Sequence, residues 1–491
     1  MKNLFLTLSI FLSFASTFSQ NITAKLIDKN TKSPIPFATI KTGEYSGVLS
    51  NEEGYFSLNL DDENLKNVTI SCMGFKSKTL TVETIKISNF IIPLEESVNQ
   101  LKEVYISNKK PNADDIIAKV RLKINENYDF TLNKYNIFYR ATDYADFKSL
   151  DFEIEKVSHV STKNIGKVNY SLDSLSKHII ASKIIQFSDF KGEFTLLDKD
   201  SSKLVVARAT KLIDHKKDFS IDNVQEKAQE LMLKYLDTSK TYKLKTGIFK
   251  VEDSLSLADE DFKDDKKNEH NISNLKHKTS SLLKNSQYYD SSLLYAILNP
   301  DLYDYTFEDI SNYNDDLTYV ISYEPRKSKA KYAGKIFVSS ENYAVVKLDY
   351  TYYKSRHGSK LNLKLLLGVK YIENLNEGTI LYQKTSENKY QPKYIKQISG
   401  SYFYVSRGLK FIENSRAKNK IGIDFKIEGD NRNKQELLVT ANGKLTLDDF
   451  KLIKEAKTVP IQLLKKFENT TWKNEETLEP LEEMKGIGNE N

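Results

Sequence analysis

The chain has 491 residues and a formal net charge of +6, from 73 Lys and Arg against 67 Asp and Glu. At about 150 residues per domain, this length predicts two to four domains. So small a net charge disfavours a protein that binds nucleic acid by neutralising phosphates. Apolar residues make up 39% of the chain, and 29 Tyr and 25 Phe stand against 18 Gly and 9 Pro. This composition excludes a disordered chain and favours β structure, because aromatic rings suit a pleated, half-buried surface.

The single cysteine, Cys72, limits the covalent and metal chemistry of the chain. It excludes an internal disulfide and any zinc or iron–sulfur cluster built from several cysteines. Because Cys72 alternates with apolar residues on a predicted strand, we expect a buried, inert thiol. We expect no disulfide-linked partner.

Residues 1–19 have the layout of a secretory signal peptide. Lys2 precedes an apolar run from Leu4 to Phe18, and the small residues Ser16 and Ser19 follow the pattern of a cleavage site. The run is shorter than the roughly 20 apolar residues that a spanning helix needs. We therefore predict cleavage after Ser19 and an exported protein, in the periplasm or at the periplasmic face of an outer membrane. Small domains of secreted eukaryotic proteins usually contain several disulfides. An exported protein with a single thiol is therefore more typical of the bacterial cell envelope.

The region from residue 20 to 107 predicts a small antiparallel β-sandwich. Short segments of alternating apolar and polar residues are separated by turn residues. Pro34 and Pro36 fix an extended connection because proline locks φ, and Gly54 is free to adopt the positive φ of a tight turn. Strands of this length and spacing are typical of a sandwich.

Four motifs in this region carry a family resemblance. They are a first strand that ends in Asp28, a step of Pro36, Phe37 and Ala38, a turn with Asn51, Gly54 and Phe56, and a strand end with Ser71, Gly74 and Phe75. Together they resemble the carboxypeptidase regulatory-like domain of exported Bacteroidota proteins. The resemblance implies a transthyretin- or immunoglobulin-like β-sandwich that is an accessory module, without zinc peptidase chemistry of its own.

A helical connector is predicted over residues 108–130. Asn112 can cap the first turn, the acidic residues Asp114 and Asp115 favour its positive end, and apolar residues follow at helical spacing from Ala113 to Ile124. A second amphipathic helix of the same kind is predicted from Val224 to Tyr235.

Most of the remaining chain alternates with period two and predicts one α+β domain. Its first half is residues 131–251 and its second half is an antiparallel meander over residues 285–446, with a hairpin signal at Ser339 to Asn342. We predict a mainly β fold with helices (α+β): the sandwich, then a large curved antiparallel sheet with helices on one side. Residues 447–491 are predicted to be a helical or irregular tail.

Residues 252–284 differ from their surroundings in composition. They are dense in Asp, Glu, Lys, Asn and Ser and contain few apolar residues. Too little apolar surface is available to offset the entropy of ordering, so we predict a charged flexible insertion.

The second part of the chain also resembles known proteins. The segments DDIIAKVRLKINENYD, KLKTGIFKVEDSL, GKIFVSSENYAVVKLDY and WKNEETLEPLEEM look like the periplasmic part of larger outer-membrane proteins that carry the same sandwich. The hairpin is also similar to the half-barrel of lipoprotein carriers, whose concave face holds acyl chains. This second likeness rests on fold alone.

The sequence contains none of the motifs of common catalytic chemistry. GxSxG, the phosphate loop and GxGxxG are absent, and no histidine has the partner that HExxH or HxxE requires. The histidines are His159, His178, His215, His270, His277 and His357. We interpret His270 and His277 as solvated and His357 as a turn residue. We therefore predict no catalytic, cofactor-binding or metal-binding residue.

Two groups of acidic residues and two rows of tyrosines are the weaker candidates for a site. Asp151, Glu153 and Glu155 alternate on a predicted strand; Asp259, Asp261, Asp264 and Asp265 form a cluster; the tyrosine rows span residues 303–323 and 343–353. The first group has the residue types of an acid–base pair but is typical of a solvated sheet face. The cluster lacks the glycine and terminal Glu of a calcium loop. The tyrosines suit a sugar- or lipid-binding surface, and equally a core.

These observations predict an exported, non-enzymatic envelope protein that binds an outer-membrane protein, a glycan or a lipid. One alternative is an accessory to outer-membrane transport or assembly, which the larger relatives suggest. Another is a hydrolase of peptide or glycan, whose carboxylate pair the sequence does not locate.

Overall fold

The computed structural model describes residues 21–43, 46–60, 65–97, 111–182, 184–214, 235–237, 239–247, 249–256, 269–313, 316–472 and 475–488. It is mainly β with helices, as the sequence predicts. The chain forms two compact units: the first contains residues 1–100, 311–316 and 469–481, and the second contains the rest. Within the described residues, no helix is both long and apolar enough to cross a membrane.

The first unit contains a β-sandwich of two small sheets. Its elements are β1 (Asn21–Asp28), β2 (Thr39–Lys41), β3 (Gly47–Leu49), β4 (Tyr55–Asn59), β5 (Asn67–Ser71), β6 (Lys78–Thr81), α1 (Val82–Ile87) and β7 (Ile91–Leu94). One sheet has the order β4-β1-β7 and the other β3-β2-β5-β6. Alternate side chains such as Leu26, Ile40, Phe56 and Ile70 are fully buried in one core. The strand period of two therefore produces this core, as predicted.

The pairing of β1 differs from the wholly antiparallel sandwich that we predicted. β7 runs parallel to β1, with Leu26 opposite Ile92, while β4 is antiparallel to it. The physical reason is the long crossover from β1 to β7, which passes through β2–β6 and α1, because parallel strands need such a long connection rather than a tight turn.

The turn before β4 has the chemistry that the sequence indicates. The side-chain oxygen of Asn51 accepts hydrogen bonds from the backbone N–H groups of Glu53 and Tyr55, each at 2.9 Å. Gly54 has φ +81°, and a Cβ there would lie 2.5 Å from the carbonyl oxygen of Leu26. Only glycine fits both the backbone conformation and this close approach.

The second unit is built on a large sheet with helices. Its helices are α2 (Ala113–Asn127), α3 (Thr162–Ala181), α4 (Ile272–Asn285), α5 (Leu293–Ile297), α6 (Lys364–Leu367), α7 (Leu447–Leu452) and α8 (Glu482–Lys485). Its strands are β8 (Asn133–Val157), β9 (Ile184–Leu196), β10 (Ser202–Ile213), β11 (Thr241–Thr246), β12 (Phe249–Ser256), β13 (Glu269–Asn271), β14 (Tyr303–Tyr313), β15 (Asp316–Pro325), β16 (Tyr332–Ser339), β17 (Val345–Tyr352), β18 (Lys360–Leu363), β19 (Val369–Lys384), β20 (Tyr390–Glu413), β21 (Lys420–Lys444), β22 (Thr458–Pro460) and β23 (Gln462–Leu464).

The main sheet brings together strands that are far apart in the sequence. It has 14 strands, and its main path is β14-β15-β16-β17-β19-β20-β21-β8-β9-β10-β23. β21 pairs with β20 on one side and with β8 on the other. The two predicted halves of the domain therefore share one sheet, and its central strands come from both.

The predicted connector helix is confirmed over Ala113–Asn127. The side-chain oxygen of Asn112 accepts hydrogen bonds from the N–H groups of Asp114 at 2.8 Å and Asp115 at 3.2 Å. This N-cap satisfies backbone donors that have no partner within the helix. The predicted helix at residues 224–235 lies largely outside the described residues.

Three stretches differ from the sequence predictions. Part of the predicted flexible insertion is α4, in which Ile272, Leu275, Leu282 and Leu283 are buried. These few apolar residues recur at helical spacing, so they form one packed face although the average composition is polar. Residues 257–268 of the insertion lie outside the described residues.

The long strand β21 and the predicted C-terminal tail are also more regular than expected. β21 runs without a break from Lys420 to Lys444, because it is paired on both sides through residues 429–433, although the composition of that segment is typical of a turn. In the predicted tail, β22 pairs with β13, and β23 pairs in parallel with the edge strand β10. The sheet is therefore largely, but not wholly, antiparallel.

Candidate functional site: an amide-lined groove on the large sheet

A groove of about 470 Å³ lies on one face of the large sheet, across five strands. Asn431 and Asn433 of β21 lie at its centre. Asn433 is opposite Ser399 of β20 and Asp143 of β8, and Asn431 is opposite Ser401 of β20. Because side chains two residues apart point to the same side of a strand, these registers place the polar groups together on one face.

The outer strands complete this lining. On β9, Gln186 is opposite Asp143 and Ile184 is opposite Ala145. On β19, Glu373 is opposite Ser401. The lining is therefore made largely of amides and hydroxyls, with Asp143 and Glu373 as its carboxylates and Arg432 as its cation.

Hydrogen bonds between neighbouring strands hold these side chains in place. The amide nitrogen of Asn433 donates to the Asp143 carboxylate at 2.5 Å. The amide oxygen of Asn431 accepts from the backbone N–H of Ser401 at 3.0 Å and from its hydroxyl at 2.6 Å. Among the described residues, the amide nitrogen of Asn431 and the amide oxygen of Asn433 remain available for a ligand.

A second chain of hydrogen bonds runs along the same face towards β16. The amide nitrogen of Gln397 donates to the oxygen of Asn376 at 3.0 Å, and Asn376 donates to the hydroxyl of Tyr332 at 3.2 Å. The ring of Tyr332 stacks on Tyr352 with centroids 5.2 Å apart. The Tyr352 hydroxyl in turn donates to Glu373 at 3.1 Å. Burial raises the pKa of Tyr332 and Tyr352, so both hydroxyls stay protonated near neutral pH.

The groove continues beneath α4 into a second space of about 480 Å³. Asp143 and Gln186 line both spaces. His270, immediately before α4, lines the second space, and Tyr139 on its sheet side donates to Gln435 at 2.9 Å. Burial lowers the pKa of His270 to about 4, with further contributions from Lys211 and Lys278. The imidazole is therefore neutral near pH 7.

Two helices frame the groove on this face of the sheet. Ile179 of α3 packs with Ala145 and Phe147 of β8, and α4 lies over the space lined by Tyr139 and Ala141. Tyr139, Ala141 and Ala145 alternate on β8 and so share one side. The open strip between the helices displays mainly amides and hydroxyls, with few charged or apolar groups among them.

The carboxylates singled out in the sequence do not line this groove. Asp151, Glu153 and Glu155 are exposed near the end of β8. A hydrogen bond and charge repulsion from Asp424 of β21 raise the pKa of Glu155. The cluster at Asp259–Asp265 lies outside the described residues. Among the described residues, no group of three or more His, Cys, Asp or Glu side chains is placed to hold a metal ion.

The structure corrects the interpretation of one histidine. His270 was predicted to be solvated, yet it is partly buried in the space beneath α4. His277 borders the same space but is exposed, as predicted, and His178 is exposed on α3. His159 bonds to Asn419 at 2.6 Å, and His357 contacts the backbone oxygen of Gly358 at 2.9 Å in a turn. His215 lies outside the described residues.

The Cys72 thiol and the tyrosines of the two rows lie mainly in or against cores rather than in the groove. Cys72 is only partly buried, against the sandwich core. Tyr303, Tyr323 and Tyr350 are buried, and Tyr303 contacts Tyr323 edge to face at 5.4 Å. Of these rows, Tyr352 joins the groove network through Glu373.

Sequence reasoning did not find the groove. Its central residues lie in the segments QISGS and DNRNKQ, whose composition is typical of turns. A signal was present in the alternation of Gln397, Ser399 and Ser401, which predicts one polar strand face. The register that aligns it with Asn431 and Asn433 is not readable from a single segment.

The comparisons with known proteins concern mainly the first unit. Residues 22–106 match the model of the CarboxypepD_reg-like domain family. A search of curated proteins and a search of solved structures each found no match. The chain therefore carries a carboxypeptidase regulatory-like domain of the β-sandwich type, and the large sheet has to be interpreted from its own residues.

Proposed function

We propose that this is an exported, non-enzymatic protein of the bacterial cell envelope that binds a neutral glycan in the amide-lined groove. The observation that carries the proposal is the row of Asn431, Asn433, Ser399 and Ser401 on one open face. A sugar ring presents adjacent hydroxyls, each a donor and an acceptor, and planar amides supply both functions at fixed geometry.

The charge of the lining supports a neutral polymer over a nucleic acid or an anionic ligand, because two carboxylates outnumber the one cation, Arg432, whose guanidinium lies 4.0 Å from the ring centroid of Tyr144. The two acidic groups of the groove, Asp143 and Glu373, already accept hydrogen bonds from Asn433, Tyr352 and the backbone N–H of Ser359. Carboxylates held in this way are acceptors for ligand hydroxyls, and they repel phosphates. Tyr144 and Tyr371, which line the groove, add flat rings with hydroxyl groups.

The proposed location of the protein is argued from the N-terminal sequence and from the domain in the first unit. The N-terminal pattern that ends at Ser19 is typical of a signal peptide. The family match at residues 22–106 identifies a carboxypeptidase regulatory-like domain, and the motifs of this region resemble those of exported proteins. We therefore place the glycan complex in the periplasm, at the inner side of the outer membrane.

Affinity electrophoresis through gels that contain dextran, mannan or laminarin tests the proposal. We expect retardation by at least one neutral polysaccharide, and an affinity at least about tenfold lower for the double variant Asn431→Ala/Asn433→Ala. The matched control is Asn136→Ala/Asn442→Ala, which removes two exposed asparagines from the same strands outside the groove. This control should migrate as the unmodified protein does.

Two outcomes would contradict the proposal. Equal loss of retardation in both double variants would show that the groove amides are not the binding groups. Release of new reducing ends from the bound polysaccharide, abolished in Glu373→Gln, would identify a hydrolase instead of a binding protein.

A further inference from the structure

The turn between β18 and β19 presents leucine side chains directly to solvent. Leu365 is fully exposed and Leu366 is 80% exposed, and Leu361 beside them is 45% exposed. We call residues 360–370 the leucine turn. Exposed apolar groups of this size, grouped at one place, mark an interaction surface rather than ordinary surface composition.

The leucine turn is held in a fixed conformation. Gly368 has φ +62°, and a Cβ there would lie 2.0 Å from the carbonyl oxygen of Ser406 on β20. The backbone N–H of Ser406 donates to the Gly368 oxygen at 2.8 Å. The chain therefore passes tightly against β20 at this glycine, and the leucines are displayed by a built turn.

The charged residues of the leucine turn itself are all positive. Residues 360–370 contain Lys360, Lys364 and Lys370 and no Asp or Glu. The neighbouring segment of β20, residues 402–412, also has basic residues and no acidic one. Beyond the turn, Glu373 follows on β19, where its carboxylate accepts a hydrogen bond from the backbone N–H of Ser359 at 3.1 Å, and further acidic side chains come from β21.

Aromatic rings lie at the base of the same surface. The Lys364 ammonium is 4.1 Å from the ring centroid of Tyr404, and the Lys370 ammonium is 5.1 Å from that of Tyr402. Tyr371 is partly exposed beside them. Tyrosine and lysine at the foot of an apolar protrusion are typical of residues that occupy the headgroup level of a bilayer.

A second apolar pair lies close to the leucine turn along the sheet. Phe249 and Val251 on β12 are both more than half exposed. Their hairpin joins β20 where Thr246 is opposite Leu409, only a few residues beyond the pair of Val369 and Val405. Both protrusions therefore occupy the same side of β20.

We propose that the leucine turn inserts into the surface of an anionic phospholipid membrane. Leu365 and Leu366 would enter the boundary between headgroups and acyl chains, while Lys360, Lys364 and Lys370 contact anionic headgroups. The rim of a protein interface carries charges of both signs, whereas the leucine turn itself carries lysines alone, which complement an anionic lipid surface. The leucines and lysines of this turn do not line the glycan groove, although Tyr371 borders both surfaces, so neither proposal depends on the other.

Vesicle co-sedimentation of the full chain tests this inference. We expect binding to vesicles of phosphatidylglycerol and phosphatidylethanolamine, and a partition coefficient at least about tenfold lower for Leu365→Glu/Leu366→Glu. The matched control is Leu122→Glu/Leu452→Glu, because these leucines are 80% and 77% exposed outside the leucine turn. All four side chains are exposed, so circular dichroism should show the same fold in both double variants.

A second variant isolates the electrostatic contribution. Replacing Lys360, Lys364 and Lys370 together by Gln should lower binding at least about tenfold at low salt and reduce its salt dependence. Three results would overturn the inference: no binding of the unmodified chain to the anionic vesicles, equal binding to pure phosphatidylcholine vesicles, or undiminished binding of Leu365→Glu/Leu366→Glu. A protein docking surface would give the first of these.

Discussion

The two faces of the large sheet carry polar residues of opposite character on the same central strands. On one face, Asn433, Asp143 and Gln186 lie side by side in an open groove. On the other face, Arg140 of β8 lies between Asp189 of β9 and Glu436 of β21. The first row is largely neutral and partly exposed, while the second is charged and buried.

The side chains of the charged row are paired with one another by hydrogen bonds and salt bridges. Arg140 donates to both carboxylate oxygens of Asp189, at 3.0 and 2.8 Å, and both side chains are almost completely buried. Tyr394 donates to Glu436 at 2.7 Å, and Lys434 lies 3.9 Å from the same carboxylate. Buried charges arranged in this way hold strands in register, since any slip would leave a charge without its partner.

The difference shows which face is structural and which is free to bind. Charges that are buried and fully paired have no capacity left for a ligand. The groove amides have spare donors and acceptors in reach of solvent, and they cost little to leave exposed. The comparison therefore predicts that removing polar groups from the charged face affects stability, whereas removing them from the groove affects binding.

The largest expected effect follows loss of the buried cation. Arg140→Met should lower the free energy of unfolding by about 3–5 kcal/mol, because Asp189 and Glu436 would remain buried and charged. Urea unfolding followed by circular dichroism measures this. The control is Arg326→Met, since Arg326 forms a 2.7 Å pair with Asp304 but both side chains are more than half exposed.

We expect the control to lose less than about 1 kcal/mol. Equal losses in the two variants would remove the distinction between a structural and a solvated ion pair. The double variant Arg140→Met/Asp189→Leu should recover part of the loss, because it removes the unpaired acid as well.

A smaller effect is expected at a glycine on the groove face. A Cβ on Gly378 would lie 2.2 Å from the carbonyl oxygen of Lys396 and 2.5 Å from the hydroxyl of Tyr350. Gly378→Ala should therefore cost about 1–3 kcal/mol, since the backbone of β20 would have to move. Gly443→Ala is the control, because nothing lies within 4 Å of its Cβ position. A Gly378→Ala protein as stable as this control would show that the tyrosine does not pack against the strand as described.

The pH dependence of stability tests whether His270, which lines the space beneath α4, is uncharged in the folded chain. The pKa of His270 is lowered from 6.5 to about 4 in the folded chain. The unfolded chain therefore binds the proton first as pH falls, and folding loses stability between about pH 6.5 and 4. The positive groups that face this histidine are Lys211 and Lys278.

We expect His270→Gln to lose about 1–2 kcal/mol less than the unmodified chain between pH 7.5 and pH 4.5, after allowance for partial exposure. Urea unfolding at the two pH values gives the difference. His159→Gln is the control, because His159 is exposed. Identical pH profiles for His270→Gln and the unmodified chain would mean that this imidazole titrates as in water.

Local patterns predicted much of the fold. The sandwich core, the Asn51–Gly54 turn, the α2 cap and the hairpin at Ser339 each depend on residues close in sequence. Such features are determined by the residues of each turn and by the apolar repeat, which has a period of 2 residues in strands and 3.6 in helices. They are the part of the structure that a single sequence can predict.

The groove could not be predicted in the same way. It joins Asp143 to Asn433, and their contact depends on the register of β8 against β21. The segment around Asn431 has the composition of a turn, yet pairing on both sides keeps it extended. Tertiary pairing overrides local propensity here, because a central strand satisfies its backbone hydrogen bonds with two neighbours.

The smallest effect on stability is expected at the centre of the groove. Asn431→Ala/Asn433→Ala removes two amides but leaves β21 paired with β20 and β8, so the free energy of unfolding should change by less than about 1 kcal/mol. Asp143 loses its donor, but it borders the open groove and can bind water instead. Urea unfolding of this double variant, beside Arg140→Met, completes the comparison of the two faces. A loss as large as that of Arg140→Met would make the amide row a structural network, and the groove would then have no surplus hydrogen-bonding capacity with which to bind a sugar.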